Sequence, residues 1–111
     1  MSVEQVPEEL PDAAQLFKLL GSETRLRLLV LIDRSPCTVG HLAERAGISQ
    51  PLVSQHLRAL RDAGLISATR SGREMRYAVV DHHVTHVVRD ALDHVRESIT
   101  RPGDADGKET P

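Results

Sequence analysis

The chain has no tryptophan, one tyrosine and one phenylalanine. Its core must therefore come from Leu, Val, Ile and Ala. A chain of 111 residues with so little aromatic area is a good candidate to bury more surface by pairing with a second copy. The single cysteine, Cys37, excludes a disulfide framework and suits a reducing compartment. No run approaches the roughly 20 apolar residues of a membrane span, and the opening MSVEQVPEELPD is acidic, with no apolar signal core. The expectation is a cytoplasmic, single-domain protein with no membrane partner. H-E-x-x-H, glycine-rich phosphate motifs and pocket-forming loops are also missing, so neither an enzyme nor a small organic substrate is expected.

Net charge is −2, but it is unevenly spread. Residues 22–76 hold nine arginines against five acids, while the flanks hold five basic residues against eleven acids. A basic middle between acidic ends is compatible with a phosphate-binding surface.

Residues 1–11 read as a loose arm. From Asp12 onward, Ala13, Leu16, Phe17 and Leu20 recur at helical spacing up to Gly21. Ser22 caps a second helix, ETRLRLLVLIDR, whose Leu26, Leu29, Val30 and their apolar neighbours are expected in the core, and Ser35-Pro36 ends it. Thr38 starts a short third helix, VGHLAERA, stopped by Gly47. Ser49 caps a fourth, QPLVSQHLRALRDA, with Pro51 in its first turn and Gly64 just past its end. Only AGIS separates these two helices, the pattern of a helix-turn-helix. After Gly64 the period becomes two. Ile66, Ala68, Met75, Tyr77 and Val79 alternate with polar residues about a turn at Arg70-Ser71-Gly72-Arg73, which predicts a two-stranded hairpin. The stretch DHHVTHVVRDALDHVRE opens a fifth helix reaching Ile99. The expected order is α-α-α-α-β-β-α, mainly α with a small β-hairpin, in a folded domain over 12–101 with a disordered tail over 102–111.

On the fourth helix, Leu52, Val53, His56, Leu57 and Leu60 share one arc, expected to be buried. Pro51, Ser54, Gln55, Arg58 and Arg61 lie opposite. Amide, hydroxyl and guanidinium groups are the types that reach base edges and phosphates in a major groove. Arg70 and Arg73 at the hairpin turn are placed to meet the neighbouring backbone or minor groove. The expected DNA-contacting set is Ser49, Gln50, Pro51, Ser54, Gln55, Arg58, Arg70 and Arg73. The element order and the string ISQPLVSQHLRALRDAGLISATRSGREMRY resemble the ArsR/SmtB family of winged helix-turn-helix repressors, over roughly residues 12–100. The resemblance implies a homodimer with the first and fifth helices at its interface, bound to an imperfect palindrome of double-stranded operator DNA near its own promoter. His56 is read as a packed residue and His41 as surface.

Four of the six histidines fall within residues 81–97, interleaved with four carboxylates and no Lys. Helical geometry sorts this stretch into two faces. Val84, Val87, Val88, Ala91, Leu92, Val95 and Ile99 form an apolar arc. His83, His86, Asp90, His94 and Glu97 form a stripe, which a plain solvated face would also explain. His83 and His94 are about 16 Å apart along the axis, and zinc–nitrogen bonds are about 2 Å. One straight helix therefore cannot bring both to one ion. His94 and Glu97 can share an ion, as can Asp81 and His83. Two such helices paired antiparallel would complete two equivalent four-ligand sites.

D-x-H followed by H-x-x-E also looks like the fifth-helix site of the family's zinc sensors. The resemblance implies Zn(II) as a regulatory ligand, held by Asp81 and His83 of one chain and His94 and Glu97 of the other, with the apo dimer as the repressing form. It further implies that the non-ligating nitrogen of His94 contacts the DNA-reading unit. Two imidazoles and two carboxylates suit tetrahedral zinc, with Co(II) as a substitute. A nickel or cobalt sensor would recruit His86, with His82 beside it, as extra ligands, and a family member answering a non-metal signal is the other alternative. The family's thiolate site would involve Cys37, but the arm holds no Cys or His and no second Cys follows. Cys37 is accordingly expected to be a small semi-buried residue.

Overall fold

The computed structural model describes residues 2–100, and the tail expected over 102–111 lies outside them. Two compact units are separated after Asp81. The first holds α1 (Leu10–Leu20), α2 (Glu23–Arg34), β1 (Cys37–Thr38), α3 (Val39–Ala46), α4 (Gln50–Asp62), β2 (Ile66–Ser71) and β3 (Glu74–Val79). The second is α5 (His82–Thr100). No helix among the described residues is long and apolar enough to cross a membrane.

The helix starts are set by hydroxyl caps. The Ser22, Thr38 and Ser49 side chains accept from the backbone N–H of Arg25, His41 and Leu52 at 3.3, 3.3 and 3.4 Å. Each satisfies one otherwise orphaned donor of a first turn. α1 begins at Leu10, two residues before the expected start, because Pro11 occupies its first turn. Proline there has no N–H to lose and its φ is already helical. Between α3 and α4 the chain turns on Gly47 at φ 71, whose N–H donates to Ala43 O at 2.9 Å. A left-handed backbone is costly for any residue with a Cβ, so glycine suits this position.

The core of the first unit is aliphatic. Leu28, Leu29 and Ile32 of α2 are buried with Leu42 of α3, Val53, Leu57 and Leu60 of α4, and Leu65 and Ile66. Of the expected α2 core, Leu29 and its apolar neighbours Leu28 and Ile32 are buried, whereas Leu26 and Val30 are only half-buried. In a helix with six aliphatic positions out of twelve, spacing alone allows several buried arcs. On α4, Leu52 is 39% exposed and His56 half-buried, so the expected arc is narrower than its apolar letters suggested. α1 buries only Leu20, and Phe17 is 60% exposed.

The hairpin gains a third strand absent from the expected order. β1 pairs antiparallel with β3, Cys37 opposite Tyr77 and Thr38 opposite Arg76, giving the sheet order β1-β3-β2. Two residues are too few to show a period of two. The turn is also tighter than expected. Arg70 and Ser71 pair with Met75 and Glu74, leaving Gly72-Arg73 as a two-residue loop. Gly72 has φ 66 and no other loop residue has positive φ, the glycine-first arrangement that matches the twist of a hairpin.

Candidate nucleic-acid interface and metal ligands

α3, the Gly47–Ser49 turn and α4 form the helix-turn-helix, and β2–β3 form the wing that follows it. All eight residues expected to meet DNA are exposed: Ser49, Gln50, Pro51, Ser54, Gln55 and Arg58 at the start and along α4, Arg70 on β2, and Arg73 in the loop. An open cleft of about 740 Å³ runs between α3, the start of α4 and β3, and links the helix-turn-helix to the wing. It brings His41, Glu44 and Glu74 beside Ser49 and Gln50. Sequence reasoning missed these two carboxylates because they lie 30 residues apart on different elements. Beside a phosphate backbone they oppose binding.

Not every arginine of the basic segment faces outward. Arg45 turns back onto the end of α2, donating to Leu31 O at 2.8 Å, Ser35 O at 3.0 Å and Cys37 Sγ at 3.1 Å. Cys37 itself is 1% exposed and lies in β1, so the thiol is fully rather than partly buried. Arg25 Nη1 donates to Leu19 O at 3.2 Å, and Arg27 pairs with Glu23 at 2.8 Å. The surplus counted from composition therefore overstates the positive charge free at the surface, where Arg58, Arg61, Arg70 and Arg73 are exposed and Arg76 donates to Pro36 O at 3.4 Å.

α5 carries the expected metal ligands at its two ends. His83 is exposed in the first turn, and His94 and Glu97 are exposed one turn apart near the other end. Asp81 is half-exposed immediately before the helix. Among the described residues, no three His, Cys, Asp or Glu side chains gather so as to hold a metal ion. One chain thus carries the expected donor set, two imidazoles and two carboxylates, in two separated halves. In the middle of the stripe, His86 Nδ1 meets Asp90 Oδ2 at 3.2 Å, both side chains 68% exposed.

The apolar arc of α5 is used unevenly. Val84 and Val88 are each 6% exposed, but Val87, Leu92, Val95 and Ile99 are 44%, 36%, 51% and 72% exposed. From Arg89 to Ile99 every residue is exposed. Thr85, overlooked in the sequence, is 3% exposed. Its hydroxyl donates to His82 O at 3.1 Å and accepts from Arg89 Nη2 at 3.4 Å.

Residues 22–68 match the family model described as "Bacterial regulatory protein, arsR family". Over 92 residues the chain is 40% identical to the HTH-type transcriptional repressor SmtB of Mycobacterium tuberculosis, covering 82% of this chain and 68% of that one. It is 44% identical over 89 residues to a probable mercury resistance operon repressor of Streptomyces lividans, covering 79% and 71%. The crystal structure of the antimony-specific transcriptional repressor AntR superposes with a TM-score of 0.79 at 30% identity, covering 91% of this chain and 93% of that one.

Proposed function

The chain belongs to the arsR family of bacterial regulatory proteins, DNA-binding transcriptional repressors and not enzymes, and from that membership we propose a zinc-responsive repressor that acts as a homodimer in the cytoplasm. The observation that carries this reading is the division of one donor set between the ends of a single helix. Asp81 and His83 stand at the start of α5, His94 and Glu97 near its end, and neither half alone offers four ligands. Asp81 and His83 of one protomer with His94 and Glu97 of its partner would complete two equivalent sites, each with chemistry that fits Zn(II). The uncovered apolar residues of α5 after Arg89 supply the surface that a second copy would bury.

In the metal-free dimer, two α4 helices enter successive major grooves of an operator with matching two-fold symmetry. Ser54, Gln55 and Arg58 reach base edges, Ser49 and Gln50 hold the helix start against the backbone, and Arg70 and Arg73 neutralise phosphates beside it. Without metal, the carboxylates gathered at each site repel one another. Zinc supplies two positive charges shared between protomers, which links the α5 helices in an arrangement that fits the operator less well. By linkage, operator DNA then weakens zinc binding by the same factor. The regulated target on this reading is a metal-efflux or homeostasis gene.

The test is a fluorescence-anisotropy titration of DNA from upstream of its own gene, with and without zinc, repeated for His94→Ala. Zinc is expected to lower the affinity of the native protein at least fivefold and to leave the variant unaffected. Unchanged affinity of the native protein in zinc would overturn the derepression reading. A fully responsive His94→Ala would overturn the ligand set while leaving the regulator intact.

A further inference from the structure

His82 and His86 remain outside the proposed four-ligand set, yet both are exposed on α5 and stand four residues apart. Residues at that separation lie on one face of a helix with Cβ atoms about 5–6 Å apart. This is the spacing at which two imidazoles can take one metal ion between them. A further turn along the same row is Asp90, whose Oδ2 lies 3.2 Å from His86 Nδ1.

That contact decides which nitrogen is available. When Nδ1–H donates to the carboxylate, the lone pair of the neutral ring lies on Nε2, at the outward end of the imidazole. A carboxylate behind a histidine fixes both ring orientation and tautomer and makes the outer nitrogen a better donor. The row His82, His86, Asp90 therefore contains two donors and the group that aims one of them.

We propose that His82 and His86 form a second metal site, an open two-imidazole chelate for a borderline divalent cation, with Asp90 as its positioning residue. Unlike the set proposed above, it lies wholly within one chain and needs no partner. Two imidazoles suit copper(II), nickel(II) and zinc(II), with copper(II) bound most strongly, and water fills the remaining positions. The site is the weaker of the two because it has two protein ligands and sits at the positive end of the helix dipole.

Calorimetric titration of the full-length protein with zinc, under a weak competing chelator, tests this. Two equivalents per chain are expected, the second at least tenfold weaker than the first. His86→Ala should remove the second equivalent. His82→Ala should do the same while leaving the first equivalent and its effect on DNA in place. Asp90→Asn should weaken the second equivalent by about two- to fivefold, the scale of an exposed charged pair. His94→Ala should remove the first equivalent and keep the second, so the two assignments fail separately. A native protein that binds one equivalent only, or a second equivalent that survives His82→Ala, would overturn the proposal. Loss of the first equivalent in His86→Ala would also overturn it, by making His86 part of the shared site. Circular dichroism confirms that each variant keeps its helix content.

Discussion

Replacing Arg45 with methionine keeps most of the aliphatic stem and removes the guanidinium from the end of α2. Three contacts are lost, to Leu31 O, Ser35 O and Cys37 Sγ, but they are not equal. Ser35 is exposed, so water can replace the donor on its carbonyl. Leu31 O keeps a second partner, the N–H of Ser35 at 3.1 Å. Sulfur is a weak acceptor. What remains is one well-formed charge-assisted bond and a cation at a helix C-terminus, together about 2 kcal/mol. For a domain of this size that lowers the melting midpoint by about 8–16 °C. Thermal unfolding by circular dichroism, compared at equal protein concentration because pairing raises stability by mass action, reads the loss. Operator affinity at a temperature where both proteins are folded should change less than about twofold, since this guanidinium faces the core and not a phosphate. A variant that keeps its midpoint but loses tenfold in DNA affinity would refute the reasoning, and Arg45 would have to be counted with the DNA-facing arginines.

Two other substitutions separate stability from recognition. Leu57→Ala, at a position 1% exposed, should cost about 2–5 kcal/mol by creating a cavity, read as a lower urea midpoint with unchanged slope. Arg73→Ala should leave the urea midpoint in place and reduce the slope of log affinity against log salt by about 0.9, one phosphate contact fewer; an unchanged slope would remove Arg73 from the interface.

The elements that could be read in advance are those with local punctuation. Ser22, Thr38 and Ser49 cap where a hydroxyl precedes an apolar-periodic run, and Gly47 and Gly72 turn where a left-handed backbone is needed. The alternation of Ile66, Ala68, Met75, Tyr77 and Val79 gave the wing its two long strands. What escaped depends on partners distant in sequence. β1 exists only because β3, some 40 residues later, pairs with Cys37 and Thr38. Arg45 points inward because the end of α2 offers carbonyls, which no count of charges records. Leu28, Leu29 and Ile32 of α2 are fully buried while Leu26 and Val30 are half-buried, because the neighbouring helices select one of several equally apolar faces. At the candidate site, the exposed polar face of α4 was legible from helical period alone, whereas Glu44 and Glu74 enter the same cleft only through the tertiary fold. The pairing of His86 with Asp90 needed side-chain geometry that spacing permits but does not require.

The short strand β1 has a mechanical meaning for the wing. β2 and β3 are six residues each, which at about 3.3 Å per residue makes an arm of roughly 20 Å. By pairing with Tyr77 and Arg76, β1 braces that arm partway along, so only the stretch from Arg76 to Arg73 is cantilevered, about 10 Å at the same rise. A tilt of about 10° about the brace moves Arg73 by roughly 2 Å, where the unbraced arm of that rise would move it by more than 3 Å. Shortening the lever roughly halves how far a given tilt carries the loop tip. The brace thus keeps the wing a stiff probe that follows the first unit as a body, with its tip carried and not trailing.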